Sequence, residues 1–271
     1  MSISVISACK NRVDALSISL SSWILFDEID EIIIVDWNSD RSPIHLTELN
    51  NKIKVITVEN EKYFNQPQPL NLAASIATGD YMLKLDSDTI LNPYYNFFES
   101  HSIDHTSFLT GFYDESQGRE HPCYSHLWGT LYLTKENFVK IGGYNENMGE
   151  YVAWEDSEIV ERLLLLGLEH KRINHNLSTA ISIPHSAKER IENFKAYHED
   201  KELEDKVRKK LSSKSNKETA DLLIYRALLE THNRINYSKY KPTRYYSEPV
   251  VKWELEQISS QQYRAQKILN K

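Results

Sequence analysis

The stretch GDYMLKLDSDTI, Gly79 to Ile90, decides how the rest of the chain is read. Its first half runs through Tyr81, Met82, Leu83 and Leu85 with the composition of a buried strand, and it then sets down two aspartates one residue apart. Working towards the amino terminus, further short β-branched apolar runs occur at Ile3–Ala8, Glu31–Val35 and Ile53–Val58. Segments of helical composition or spacing separate them at Asp14–Ile24, Pro43–Leu49 and Gln68–Ala77. Strands alternating with helices predict βαβ units and a mostly parallel sheet with helices on both faces. The runs are nearly all apolar rather than alternating, as expected of strands covered on both sides.

In such a sheet, ligands bind outside the carboxyl ends of the strands, where the connecting loops gather. Those positions carry CKNR (Cys9–Arg12), DWNSD (Asp36–Asp40), ENEKYFN (Glu59–Asn65) and the Asp86–Asp88 pair. Along an extended chain, alternation puts Asp86 and Asp88 on one side. Two close carboxylates repel each other unless a cation joins them, and oxygen ligands beside a phosphate suit Mg²⁺ or Mn²⁺. On this motif alone a solvated acidic turn is the competing reading.

Composition narrows the function. The 271 residues carry a formal net charge of −7, so there is no basic surplus for general nucleic-acid binding. Two cysteines, Cys9 and Cys123, are too few for a disulfide framework or a cysteine-based zinc site. MSISVISACKNR lacks the length and flanks of a secretory signal, and no run of about 18 apolar residues suggests a membrane span. The expectation is a cytoplasmic protein, soluble or peripherally associated. A basic run, KVRKKLSSKSNK (Lys206–Lys217), reads as a solvated helix end rather than a docking site for phosphate-rich partners or anionic membrane.

A second constellation lies downstream in GGYNENMGEYVAWED, Gly142 to Asp156. Acids in a first helical turn ordinarily complement the helix dipole. The glycine pair and the aromatics that precede them are more elaborate than a cap requires. In this order, the strand, AsnArg loop, IleValAsp strand end, Asn71 helix, LeuAspSerAsp, GlyGlyTyrAsnGlu and TrpGluAsp resemble the nucleotide-sugar glycosyltransferases of GT-A fold, family 2. The GlyGlyTyrAsnGlu…GluAsp portion is similar to a galactosyltransferase-type motif.

The resemblance covers roughly residues 1–185 and implies a GT-A (Rossmann-like) domain over 1–186, with a helical extension over 187–271. It implies an inverting glycosyltransferase of hexosyltransferase type, moving a sugar from a nucleoside diphosphate donor such as a UDP-sugar to a saccharide or other hydroxyl acceptor. Asp86, Asp88 and His185 (in SIPHS, Ser182–Ser186) would hold Mn²⁺ or Mg²⁺, although a histidine after a proline is also an ordinary turn residue. Asp156 would be the catalytic base, with its basicity lowered by the helix terminus. Glu155, Trp154 and Trp128 would face the acceptor, the tryptophans having a plain core role as their alternative. The donor side would comprise Ala8, Asn11 and Arg12, then Asp36, Asn71, Asp86 and Ser87; Asn11 could instead cap the following helix.

Two departures bear on the base and phosphate. Trp37 stands where many members carry a second acid, and Pro69-Leu70-Asn71 replaces AlaArgAsn. Rival readings are a non-catalytic nucleotide- or glycan-binding module on the same scaffold, and a nucleotidyltransferase, which would want a glycine-rich basic loop early in the chain. The extension is open to three roles: acceptor platform, homo-oligomer interface, or cover for an exposed sheet edge.

Overall fold

The computed structural model describes residues 2–111, 129–148, 155–173, 180–182, 193 and 251–268. Strands β1 (Ile3–Cys9), β2 (Ile29–Trp37), β3 (Ile53–Val58) and β4 (Tyr81–Lys84) alternate with α1 (Val13–Trp23), a 3₁₀ turn (Pro43–Glu48) and α2 (Pro67–Ile76). Short elements follow: β5 (Thr89–Leu91), α3 (Phe97–Ser100), β6 (Ser107–Thr110), β7 (Leu131–Thr134) and α4 (Lys135–Lys140). Then come α5 (Glu155–Leu165), β8 (Glu169–Arg172), β9 (Ala180–Ser182), β10 (Trp253–Gln257) and β11 (Gln262–Lys267).

Among the described residues, nine strands form one sheet in the order β10-β11-β3-β2-β1-β4-β7-β6-β8. Strands β3, β2, β1 and β4 are mutually parallel, and β7 runs antiparallel to both β4 and β6. A two-stranded ribbon, β5–β9, lies apart from it. The fold is therefore the α/β sheet expected, and its core follows from the period of two along each strand. Ile3, Val5, Ile32 and Ile34 pack with Leu16, Leu20 and Trp23 of α1 on one face. Ile6, Ile33, Val35 and Met82 pack with Leu70 and Ala73 of α2 and Ile159 and Leu163 of α5 on the other. Among the described residues no helix is long and apolar enough to cross a membrane.

The carboxyl-terminal stretch differs from the helical expectation. Residues 253–257 and 262–267 are strands, and β11 pairs in parallel with β3, Gln262 opposite Val55 through Ala265 opposite Val58. Without it β3 would present a row of unpaired backbone groups at a sheet edge. The Gln261 amide fastens the join by donating to the carbonyls of Thr47, Asn50 and Ile53. Trp253 packs edge-on against Trp37, centroids 5.6 Å apart. A polar, alternating segment of this kind reads as amphipathic helix locally, and its partner strand lies some two hundred residues away in the chain. Of the rest of the extension only Asn193 is among the described residues.

At the amino ends of the parallel strands a single carboxylate ties four elements together. Glu31 of β2 accepts from the Ser4 hydroxyl of β1 (2.6 Å), from the Lys54 ammonium of β3 (2.6 Å), and from the hydroxyl and backbone N–H of Thr78 ahead of β4. Burial alone would raise its pKa, but these hydrogen bonds outweigh it and bring it from 4.5 down to about 2. An unfolded chain protonates Glu31 near its ordinary value, so the stabilisation is complete above that value and is lost as pH falls towards 2. Glu31→Gln is expected to destabilise the protein at neutral pH by up to ~3 kcal/mol. The variant should also show a shallower loss of stability on acidification, read by denaturant unfolding across that pH range.

Candidate active site

The site forms where the carboxyl ends of β1, β2 and β4 meet the first turn of α5. Strand β4 stops at Lys84, so Asp86 and Asp88 sit on the turn beyond it, closed by Thr89 N–H donating to the Asp86 carbonyl. Each acid faces a different cation. Asp86 lies 2.8 Å from the Lys84 ammonium, and Asp88 lies 3.1 Å from the Arg12 guanidinium at the end of β1.

Lys84 is the centre of this arrangement. Its side chain is 1 % exposed, and besides Asp86 its ammonium donates to Asp156 Oδ1 at 3.4 Å. The Gln66 amide, ahead of α2, reaches the same group, its nitrogen donating to Asp86 Oδ1 at 3.4 Å; with its oxygen and nitrogen exchanged it would instead accept from Lys84 Nζ (3.2 Å) and donate to Glu155 Oε1 (3.3 Å). Burial by itself would strip the proton from Lys84, but Asp156 and Asp86 overcome it and hold the pKa well above the ordinary value. The chain passes directly over this pair at Gly129. A Cβ there would stand 2.3 Å from Asp86 Oδ2 and 2.7 Å from Lys84 Nζ, so any larger residue would have to displace the pair.

Glu155 and Asp156 occupy the first turn of α5, where the helix terminus favours anions. Burial nevertheless dominates. It pushes Glu155 up to about 8, helped by the neighbouring Asp156 charge, and it raises Asp156 against the opposing pull of Lys84. The expected lowering of Asp156 basicity by the dipole is thus reversed, because desolvation of a buried carboxylate exceeds what one helix terminus supplies.

The turn that precedes α5 is braced from two sides. Asn71 of α2 accepts from Tyr144 N–H (2.7 Å) and donates to the Tyr144 carbonyl and to Glu146. Gly143, at φ +71°, lets the backbone come so near that a Cβ would sit 2.5 Å from Asn71 Oδ1. From α5, the fully buried Arg162 pairs with Glu158 and donates to the carbonyls of Ile141 and Gly143. Glu146 also accepts from Val251 N–H, which joins this turn to the start of the terminal strands. Asn71, expected at the donor, spends its amide on this brace.

Several other expected residues are placed plainly. Asp36 is 1 % exposed and accepts from Ser39 N–H; burial raises its pKa to about 6, moderated by hydrogen bonds from Ser39. Asn11, at φ 56°, does not cap α1. It accepts from Asp40 N–H (2.8 Å) and so joins the loops after β1 and β2. Lys10, which the sequence did not single out, stitches those loops to a third by donating to the carbonyls of Trp37, Asn38 and Glu61. Ser87 is buried beside the acid pair and Ala8 is half-buried in β1. Trp128, Trp154 and His185 lie outside the described residues.

The donor set of Asp86 and Asp88 was expected to hold a divalent ion. Among the described residues no three His, Cys, Asp or Glu side chains gather as a protein cage. Two hard carboxylates nonetheless fit Mg²⁺ or Mn²⁺ chemistry of the kind in which one or two protein acids act with substrate phosphates. Sequence reasoning missed Lys84 and Gln66. Only the oddity of a lysine inside the apolar run MLKL signalled the first.

A family model described as Glycosyl transferase family 2 matches residues 4–152. No curated protein sequence matches the chain. Among solved structures, a mutant of Drosophila β1,4-galactosyltransferase 7 in complex with manganese, UDP-Gal and xylobiose aligns with a TM-score of 0.58 at 14 % identity, covering 99 % of this chain and 94 % of that one. TarS of S. aureus aligns with a TM-score of 0.53 at 17 % identity, covering 89 % of this chain and 75 % of that one. At these identities the likeness is one of fold.

Removing the buried cation leaves two carboxylates without their partner. Lys84→Met is therefore expected to cost about 3–5 kcal/mol of stability, the typical loss when one member of a buried ion pair is deleted. Urea unfolding of the variant measures it, and a midpoint equal to that of the parent would contradict the pairing.

Proposed function

The chain belongs to glycosyl transferase family 2 and is a glycosyltransferase, and on that footing we propose that it transfers a sugar from a UDP-sugar to an acceptor hydroxyl by single displacement with inversion. The observation that carries this reading is Lys84, whose buried ammonium draws Asp86 of the acid pair and Asp156 of α5 to one point. Glycosyl transfer needs charge compensation on the departing diphosphate and a base for the acceptor hydroxyl within the same small volume. The residues around Lys84 offer both.

Asp156 takes the acceptor proton. Its pKa, raised by burial against the opposing pull of Lys84, makes it a stronger base than an ordinary surface aspartate. Glu155, held protonated near neutral pH, lies beside it as a neutral hydrogen-bonding group rather than a second charge. Arg12 brings a further cation to the diphosphate side through its contact with Asp88. Asp86 and Asp88, with His185 as a third side-chain ligand, would hold a divalent ion, which would supply Lewis-acid stabilisation of the leaving diphosphate. The manganese and UDP-Gal in the β1,4-galactosyltransferase 7 complex support this choice of donor and ion. Trp128 and Trp154 are proposed to face the acceptor with Glu155.

Asp156→Asn is expected to keep UDP binding and to lose about 10²–10⁴-fold in transfer rate, the usual contribution of a general base. Transfer of the parental magnitude would remove Asp156 from the mechanism. Asp88→Ala should weaken UDP binding only in the presence of Mn²⁺ or Mg²⁺, measured by calorimetric titration with and without EDTA. Equal affinity of the parent protein under both conditions would contradict the assigned ion.

A further inference from the structure

The loop that follows β3, residues 59–65, is held from several directions at once. Its Glu61 carbonyl accepts from the Lys10 ammonium after β1 (3.0 Å) and from the Asn38 amide after β2 (3.3 Å). Trp37 Nε1, at the end of β2, donates to the Tyr63 carbonyl at 2.8 Å. From the extension, the Asn193 carbonyl accepts from Phe64 N–H (2.7 Å), and its side chain accepts from the Asn11 amide (3.3 Å).

A further hold comes from β11. This strand outruns its neighbour, since the pairing ends at Ala265 opposite Val58 while β11 continues to Lys267. Arg264 reaches Glu59 at 3.5 Å, and Lys267 forms an ion pair with the Glu61 carboxylate. The Lys267 ammonium also stands over two rings, 5.3 Å from the centroid of Trp37 and 5.6 Å from that of Trp253. Ring faces and carboxylate attract the same cation, which ties the side chain to one place. Glu61 is thus gripped at both ends, its carbonyl by the loops after β1 and β2 and its side chain by β11.

With the donor proposed for this site, the diphosphate lies at Asp86, Asp88 and Arg12, at the ends of β4 and β1. Asp156, the proposed base, lines a cavity on the other side of β4 with Thr130 and Leu131. The nucleoside then extends the opposite way across the strand ends, towards the loops after β2 and β3. Strand β3 is three strand spacings, about 14 Å, from β4, within reach of such a ligand. A loop already ordered costs a ligand less to bind than one that the ligand must order itself. We infer that Lys267 is a positioning residue for donor binding: through Glu61 it presets the loop after β3, so that β11 governs affinity for the nucleoside diphosphate. The inference rests on the UDP-sugar reading and goes beyond it by giving β11 a part in donor recognition.

The test titrates UDP, GDP and dTDP into the full chain with Mn²⁺ and follows backbone hydrogen exchange of residues 59–65 in the same proteins without nucleotide. Lys267→Met and Glu61→Gln should each weaken binding of the diphosphate that the parent takes by about five- to tenfold, the size of one ion pair together with a cation over a ring. Exchange in the loop should rise in both variants, with that of β3 unchanged. The double variant should lose no more than either single one, because both changes break the same link. Lys267→Arg, which keeps the charge, should restore most of the affinity, and Gln266→Ala, exposed on the same strand, should bind as the parent does. Parental affinity in Lys267→Met, unchanged exchange in the loop, additive losses in the double variant or an equal loss in Gln266→Ala would overturn the inference. So would a lowered urea midpoint with parental affinity, which would leave Lys267 a structural residue only. The two readings fail separately. A parent that binds none of the diphosphates contradicts the proposed donor and the inference with it, whereas variants that match a binding parent contradict the role of Lys267 alone.

Discussion

An ammonium group buried at the end of a central strand cannot stand alone, because desolvation would cost several kcal/mol or drive off its proton. Lys84 escapes this by meeting Asp86 two residues along the chain and Asp156 at the start of a helix 72 residues away. The acids need it as much as it needs them. Without a cation, Asp156 would be a buried carboxyl group with nothing to oppose the desolvation that raises its pKa. The requirement for mutual neutralisation draws the strand turn and the helix terminus to one point, and the other features of the site follow from that convergence. Gly129 leaves room for the pair, and Gln66 donates to Asp86 beside it.

Holding α5 at that point takes a second set of interactions on the protein's own framework. Arg162 binds the carbonyls of the glycine turn from one side and Asn71 binds its peptide groups from the other. Residues that resemble a family motif thus divide their tasks. The acids at its end face the site, and the GlyGlyTyrAsnGlu portion orients the helix that presents them. The cost is accepted in the pKa values, with Glu155 and Asp156 both raised by burial. For a group proposed to accept a proton in the transition state, a raised value is a gain in basicity.

Much of the fold was legible because it rests on local pattern. The apolar runs at Ile3, Glu31, Ile53 and Tyr81 and the helices between them lie where composition and spacing put them. That Asp86 and Asp88 follow a strand and Asp156 opens a helix was legible for a similar reason, since the residues that end or start an element mark it locally. Roles that depend on partners were harder to read. Asp36 and Asn71 have residue types suited to a nucleotide, yet their hydrogen bonds go to Ser39 and to Tyr144 and Glu146. The terminal segment shows alternation too weak to separate a strand from an amphipathic helix, and only the open edge of β3 resolves it.

By itself the sequence determined the alternation of strands and helices, the double coverage of the sheet, and the presence of acids at the loops where a ligand would lie. Each of these is a property of a short window, governed by side-chain period and by the residues that end an element. The tertiary structure alone decided which charges neutralise one another, that Asp156 becomes a stronger rather than a weaker base, and that the chain ends as strands on the sheet. It also decided that the unpartnered Thr130 hydroxyl shares a cavity with Asp156. The physical reason is that burial and ion pairing are set by neighbours in space, and here those neighbours are separated by dozens to hundreds of residues along the chain.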